Sequence, residues 1–459
     1  MSGGVGLRPY LLPKTRRAAF YTLGCKVNRF ESDGLAQKFR ELGWETVSFK
    51  EPADLYLINT CTVTAEAQRQ SLQMVRQAVR NHPEAVVGAV GCATRLFPEP
   101  FLEIPGLRFV GGCVNKMALP PLVVSLRPEH RTLYLPDEGT PPLEPLFPWP
   151  ETRTRALLKI QEGCDGACSY CLVPRARGRS RSLPPEEVRR GLKHLSLMGV
   201  KEVVLTGIHL GQYGSDLERP TPLAALLKDL LDRHPELQIR LSSLEPQEVG
   251  PDLRDLFHSF PNLCRHLHIP LQSGDDGILK AMNRTYSSAF YREGILDLHQ
   301  RFPTLSIGAD LIIGFPGETE EAFSKTYEFV SKLPLSYLHL FPFSPRPGTP
   351  AATFPGQVPQ KVKKERLRIF RELDRRKRRE FIARCLGKTI WAIGLDGGDP
   401  QRGNRVLTEN YLTVFVSERV EKNERVRLKL IGPDGEGIKG KIVEREGGGL
   451  QRIFLGTML

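Results

Sequence analysis

Between residues 18 and 112 the chain alternates short apolar runs with longer stretches in which apolar side chains return every three or four positions. "AAFYTLGC" (18–25), "ADLYLINTC" (53–61), "AVVGAVGC" (85–92) and "LRFVGG" (107–112) read as buried strands. "RFESDGLAQKFRELG" (29–43) and "TAEAQRQSLQMVRQAVRN" (64–81) carry the helical period. Strands separated by helices predict a parallel, Rossmann-like α/β sheet. Cys25, Cys61 and Cys92 each close one of these strand runs. In an open parallel sheet the carboxyl ends of the strands line the crevice where ligands bind, so three thiols remote in sequence are expected to converge on one edge.

The stretch 132–152, "TLYLPDEGTPPLEPLFPWPET", has many prolines and no period, and reads as a linker. Alternation then resumes. Strands are expected near 155–161, 201–207, 237–243, 264–271, 305–314 and 335–343, with helices such as 185–199, 222–234 and 320–334 between them. Six strand–helix units are too few for a closed eightfold barrel and fit a partial (β/α)6 barrel that is open at one side. Beyond residue 385 the pattern changes to short β-type runs punctuated by Gly and Asp-Gly: "TIWAIGLDGG", "NRVLTENYLTVFV", "RVRLKLIGPDG" and "GKIVEREG". These predict a small all-β module, a five-stranded barrel of OB type. The expected division is therefore 17–130, a linker at 131–152, a core at 153–384 and the β-module at 385–459.

Composition sharpens this picture. A chain of 459 residues is long enough for two or three domains. No apolar run approaches the roughly 20 residues that span a bilayer, and Pro9 and Pro13 cut the apolar stretch of the N-terminus, so a cytoplasmic location without a membrane is expected. Nine cysteines in a reducing compartment serve better as metal ligands, reactive thiols or buried small residues than as disulfides. The net charge is +13, and from Lys361 to Arg384 twelve Lys/Arg face four Asp/Glu. A basic helix directly before a β-barrel suits a polyanionic partner.

The densest chemistry is "EGCDGACSYCLVPRARGRSR" (162–181), with Cys164, Cys168 and Cys171 spaced C-x3-C-x2-C after the first strand of the partial barrel. A closed zinc site or an ordinary ferredoxin cluster wants four ligands, and no fourth Cys or His lies close by. A cubane held by three thiolates instead leaves one iron open to act as a Lewis acid and pass an electron to substrate. Zinc and simple electron transfer stand as the alternatives.

This loop, with Tyr170 before its third cysteine, resembles the radical S-adenosylmethionine (SAM) enzymes. Over roughly residues 17–459 the resemblance is to the methylthiotransferases: "YTLGCKVNRFES", "INTCTVT" and "VGCATR" are similar to the signatures of their N-terminal domain, and 385–459 to their RNA-binding TRAM domain. The resemblance implies two [4Fe–4S] clusters, the radical-SAM cluster on Cys164, Cys168 and Cys171 and a second on Cys25, Cys61 and Cys92. It implies SAM as both methyl donor and radical source. It further implies a sulfur source, an electron donor such as flavodoxin or ferredoxin, and tRNA bound by its anticodon arm. "FYTLGCKVN" resembles the branch acting on N6-threonylcarbamoyladenosine at position 37. The isopentenyladenosine branch reads more like G-C-Q-M-N there, and the branch modifying a ribosomal-protein aspartate more like G-C-P-K-N. Both are alternatives, as is a metal-bearing RNA-binding protein without turnover.

Many radical-SAM enzymes hold the SAM amino group with a Gly-Gly-Glu run after the second barrel strand. Here the position reads "LTGIHLG", which leaves Thr206 and Gly207 for contacts through the backbone. The remaining SAM contacts implied are Tyr170, Ser243, Glu245, Gln272, Gly308 and Ile312, at or near barrel strand ends. Arg175, Arg177, Arg179, Arg375, Arg376, Lys377 and Arg378 are the expected RNA contacts. Cys113 is a seventh candidate thiol, expected to be plainly buried, and His209 and His268 are expected to pack or hydrogen-bond rather than ligate.

Overall fold

The computed structural model describes residues 15–125, 131–135, 142–149, 154–434 and 437–446. It divides into two compact units, one of residues 1–141 together with Arg175–Arg177, the other of 142–174 and 178–459.

The first unit is built on a six-stranded sheet. Its strands are β1 (Arg17–Thr22), β2 (Glu45–Val47), β3 (Leu55–Thr60), β4 (Val86–Gly91), β5 (Phe109–Gly111) and β6 (Thr132–Tyr134), in the order β2-β1-β3-β4-β5-β6. Every pairing is parallel. Every residue of β3 is buried, as a central strand covered on both faces requires. Its Tyr56 and Ile58 join one apolar cluster while Leu55 and Leu57 join another, the two faces of the pleat.

Three expectations change here. The edge strand β2 has three partly exposed residues, too few to show a period. The linker assigned to 131–152 begins with β6, which the pairing of Phe109 with Thr132 draws into the sheet; residues 136–141 and 150–152 lie outside the described ones. The helix expected at 29–43 runs over Lys26–Glu41, because β1 ends at Thr22 and Cys25 already stands in extended backbone at the helix N-cap.

The second unit carries β7 (Ala156–Lys159), a short antiparallel pair β8 (Gln161–Glu162) and β9 (Arg181–Ser182), then β10 (Glu202–Thr206), β11 (Gln238–Leu241), β12 (His266–His268), β13 (Ser306–Ile313) and β14 (Tyr337–Pro342). β7, β10 and β11 form one parallel sheet and β12, β13 and β14 another, joined by a parallel bridge between Ile239 and Leu263. The result is a row of six parallel strands, and no pairing among the described residues joins β14 back to β7. Along β13, Ile307, Ala309, Leu311 and Ile313 pack into the main apolar core. By alternation, Gly308, Asp310 and Ile312 therefore share the opposite, inner face.

The helix Gln360–Cys385 buries Leu367, Phe370, Leu373 and Phe381 and leads into a closed barrel of β15 (Thr389–Gly394), β16 (Asn404–Thr408), β17 (Thr413–Val416), β18 (Arg425–Asp434) and β19 (Gly437–Arg445). The run expected as one β segment, "NRVLTENYLTVFV", folds back into β16 and β17 at a turn where Tyr411 takes φ +68°. That turn docks on the core. The Tyr411 ring stacks on His266 at 4.5 Å, and Arg240 donates to Glu409 O at 2.9 Å while its Nε and Nη2 grip Glu202 at 2.8 and 3.1 Å.

Candidate functional site: two three-cysteine centres

The loop carrying Cys164, Cys168 and Cys171 leaves β8 through Gly163, whose φ of +77° and whose approach to the Arg179 carbonyl exclude a Cβ. Gln161, fully buried, holds the turn by donating to Gly163 O at 2.8 Å and Ser180 Oγ at 3.0 Å. The far end is pinned by Ser169, whose amide donates to Met282 O at 3.1 Å and whose hydroxyl donates to Ala281 O at 2.8 Å. Burial, then the like charges of Cys168 and Cys164, pushes the Cys171 thiol up to about 12. Cys171 is thus costly to ionise unless a cation arrives, and this three-thiol donor set fits an iron–sulfur cluster.

Donors surround the loop. His209 Nδ1 stands 3.2 Å from Cys164 Sγ and its Nε2 2.6 Å from Glu248 Oε1. Burial opposes a charge on His209, but its bonds to Cys164 and Glu248 prevail and raise its pKa to about 9. Arg284 Nη1 donates to Cys168 Sγ at 3.3 Å, and the Gly166 and Val173 amides donate to Cys164 and Cys171 at 3.3 and 3.4 Å. Arg284 also forms an ion pair with Glu245.

In the first unit Cys25 precedes the helix Lys26–Glu41, Cys61 follows β3 and Cys92 follows β4. Gly24, at φ +92°, passes so close to Cys61 that a Cβ would lie 2.7 Å from its sulfur. Burial, then Cys92 and Cys25, pushes the Cys61 thiol up to about 11, so Cys61 lies within electrostatic reach of the other two. Cys92 is driven the other way, first by a hydrogen bond from Cys113 and then by Arg177 and Lys116. Cys113 is buried as expected, with its Sγ 2.8 Å from Ala176 O.

Below these thiols lies a buried charge network that sequence reasoning missed. Lys116 Nζ donates to Glu31 Oε2 at 2.6 Å and to Asn59 Oδ1 at 2.8 Å. Arg177 donates to Glu31 Oε1 at 2.8 Å and to Asn28 Oδ1 at 2.5 Å. Side-chain exposure is 1% for both cations and 3% for Glu31. The signal was present in "CKVNRFES", where Asn28 and Glu31 lie three apart and so share a helix face. Nothing in the sequence linked that face to residues 116 and 177.

Two of the expected RNA contacts are corrected by this geometry, and the residues expected at SAM take the places given after them. Arg177 was expected to meet RNA, but it is buried on Glu31. Lys377, also expected at RNA, is 2% exposed because it turns inward to cap Ser331 O and Leu333 O, each at 2.7 Å. Glu245, expected at SAM, is taken by Arg284. At Gly308, expected at SAM, the Tyr337 ring fills the place of the missing Cβ. Gly207 is likewise crowded by Gln161, whose Oε1 would lie 2.7 Å from a Cβ there. Gln272, at φ +68°, bridges Leu311 through its backbone. Tyr170 meets Phe315 edge-on at 6.4 Å, in an apolar cluster that also includes Ile312. The Thr206 and Ser242 hydroxyls, at the ends of β10 and β11, are buried without a hydrogen-bond partner among the described residues. Ser243, next along, is half-buried. Arg175 and Arg179 are exposed, and so are Arg375, Arg376 and Arg378 on the long helix.

No described helix is long and apolar enough to cross a membrane. His268, expected to pack or hydrogen-bond, donates or accepts at 3.1 Å with Tyr337 Oη and 2.9 Å with Asp310.

Partial barrel and three-thiol loop together define a radical-SAM enzyme, and residues 158–330 match the model of the radical SAM superfamily, a family that implies SAM and a [4Fe–4S] cluster. Residues 17–112 match a second model, described as uncharacterized protein family UPF0004. The chain belongs to the radical-SAM methylthiotransferase family. It is 38% identical over 422 residues to the threonylcarbamoyladenosine tRNA methylthiotransferase MtaB of Aquifex aeolicus, covering 90% of this chain and 99% of the relative. To MtaB of Bacillus subtilis it is 36% identical, covering 93% and 97%. The tRNA-2-methylthio-N(6)-dimethylallyladenosine synthase of Moorella thermoacetica is 30% identical, covering 92% and 97%. Among solved structures, the radical SAM methyltransferase TsrM of Kitasatospora setae shares the fold, with a TM-score of 0.55 at 15% identity over 74% of this chain and 77% of TsrM.

Proposed function

We propose that this protein converts N6-threonylcarbamoyladenosine at position 37 of tRNA to its 2-methylthio derivative, using two [4Fe–4S] clusters and SAM. The observation that carries the reading is the presence of two three-thiol sets, one beyond the ends of the parallel strands β1, β3 and β4 and one in the single loop that follows β7 and β8. Cys164, Cys168 and Cys171 would hold the radical-SAM cluster, and Cys25, Cys61 and Cys92 a second that carries the sulfur to be installed. The clusters supply an electron and an activated sulfur, the reactivity that an aromatic C–H demands and side chains lack. The substrate branch rests on similarity: relatives named for threonylcarbamoyladenosine reach 38% and 36% identity, against 30% and 29% for two named for dimethylallyladenosine.

The protein's own part is to bind and orient. The unpartnered hydroxyls of Thr206 and Ser242, with Ser243 beside them and Gln272 at its strained turn, offer polar contacts to SAM. Tyr170 and Ile312 offer it an apolar wall. Lys116 and Arg177 outnumber Glu31 beneath the second thiol set, which suits the net negative charge of a thiolate-bound cluster. An electron donor and a sulfur source complete the cycle.

The anticodon arm lies, on this reading, along exposed basic side chains of the long helix, with Arg175 and Arg179 as further phosphate contacts. Reversing Arg375 and Arg376 to Glu is expected to weaken tRNA binding about tenfold or more near 0.1 M salt and to flatten the salt slope by about two. Filter binding across a salt series reads both. An unchanged slope would move the RNA to another face.

The test of the whole reading is mass spectrometry of tRNA nucleosides from host cells with and without the gene. Loss of the methylthio form of threonylcarbamoyladenosine, with its precursor accumulating, is the expected result. A change confined to the isopentenyl derivative would overturn the substrate, and no change in tRNA would overturn the RNA assignment.

A further inference from the structure

The thiols of the radical-SAM loop sit in a closed ring of side chains drawn from three other segments. His209 lies between Cys164 Sγ at 3.2 Å and Glu248 Oε1 at 2.6 Å. Arg284 lies between Cys168 Sγ at 3.3 Å and Glu245. The two carboxylates belong to one turn: the Glu248 side chain accepts the Glu245 amide at 2.8 Å, one half of a reciprocal capping box at Pro246–Glu248. The path therefore runs Cys164, His209, Glu248, Glu245, Arg284, Cys168. All four side chains are screened from water, with exposures of 16%, 15%, 18% and 7% for His209, Glu248, Glu245 and Arg284.

The chemistry of the ring fixes the direction of its hydrogen bonds. A thiolate bound to iron has no proton to give, and a carboxylate is acceptor-only. His209 Nδ1 faces the Cys164 sulfur at 3.2 Å and so donates to it, while Nε2, 2.6 Å from Glu248 Oε1, anchors the ring. Arg284 is a cation at any pH. Two donors thus point at two of the three cluster thiolates, each held by a carboxylate on its far side. Hydrogen bonds and positive charge at cluster sulfurs stabilise the reduced, more negative state.

We propose that His209 and Arg284 raise the reduction potential of the radical-SAM cluster by donating to Cys164 and Cys168, and that Glu248 and Glu245 are the residues that position them. The single electron is then easier to load from a donor, with less driving force left for cleaving SAM. Gly211 belongs to the same device, because a Cβ there would overlap the Glu248 carboxyl and push it off His209.

The test is an electron-paramagnetic-resonance redox titration of the anaerobic holoenzyme with SAM present, following the reduced-cluster signal that SAM perturbs. His209→Ala is expected to move the midpoint to more negative potential, so that at the wild-type midpoint the ratio of reduced to oxidised cluster falls about tenfold, equivalent to 59 mV for one electron. Arg284→Gln should move it the same way. A midpoint unchanged to within about twofold in that ratio, with iron content intact, would overturn the proposal. If His209→Ala fails to hold its iron, Glu248→Gln is read in its place, since it keeps the shape of the ring and weakens only the anchor. A smaller negative shift there supports the proposal, and none overturns it.

Discussion

Cys61→Ala is expected to leave reductive cleavage of SAM running while methylthio transfer stops. Iron should fall from about eight to about four per chain. Cys61 belongs to the first unit and is not one of the loop thiols, so the set Cys164, Cys168 and Cys171 keeps all its donors in the variant. It does remove the thiol that feels the charge of both Cys25 and Cys92, beyond the ends of β1, β3 and β4. The comparison variant is Cys168→Ala, in which both SAM cleavage and transfer should be lost. Deoxyadenosine and methylthio-nucleoside are quantified in the same reaction, beside an iron assay. A Cys61→Ala enzyme that still thiolates RNA would remove the second centre from the mechanism.

Glu31→Gln is expected to destabilise the first unit by about 3–5 kcal/mol, the usual cost of leaving a buried charge without its partner. The carboxylate is the shared acceptor of Lys116 and Arg177, and all three side chains are almost fully buried. Neutralising it strands two cations, whereas removing either cation leaves the carboxylate still paired. Lys116→Met should accordingly restore part of the loss in the Glu31→Gln background, because one stranded charge is gone. Hydrogen exchange along the helix Lys26–Glu41, which carries Glu31, reads the stability of this unit without requiring the whole chain to unfold in one step. If Glu31→Gln left that protection unchanged, the network would be a solvated surface cluster rather than a buried one.

How far the sequence reaches is shown by particular residues. The runs ending at Cys25, Cys61 and Cys92 announce parallel strands because a strand buried on both faces is mostly apolar, as β3 is from Leu55 to Ile58 before the buried Asn59 and Thr60. The spacing of Cys164, Cys168 and Cys171 announces a three-ligand loop because thiols three and four residues apart can reach one metal group from a single loop. The change to short Gly-punctuated runs after residue 385 announces a barrel, and the five strands close as such. β2 and β6 were not legible: three residues cannot show a period, and it is pairing to a neighbour that makes them strands.

Side-chain destinations were least legible. A run of basic residues looks uniform in sequence, yet Arg375 and Arg376 face solvent while Lys377 turns into the core. Arg177 sits in a basic loop and ends buried on Glu31. Glu245 follows the end of β11 and Gly308 lies within β13, but only the fold shows that Arg284 pairs with the first and the Tyr337 ring covers the second.

The sequence by itself thus determined what depends on neighbours along the chain: the periodicity of strands and helices, the three-thiol loop, the charge of the long helix and the family they identify. The tertiary structure decided what depends on neighbours across it. The ring that joins Cys164 to Cys168 through His209, Glu248, Glu245 and Arg284 bonds residues directly across as many as 116 positions of chain. Such a contact leaves no period in the sequence, because it is set by the packing of strands and turns around a shared lumen and not by any local preference of the chain.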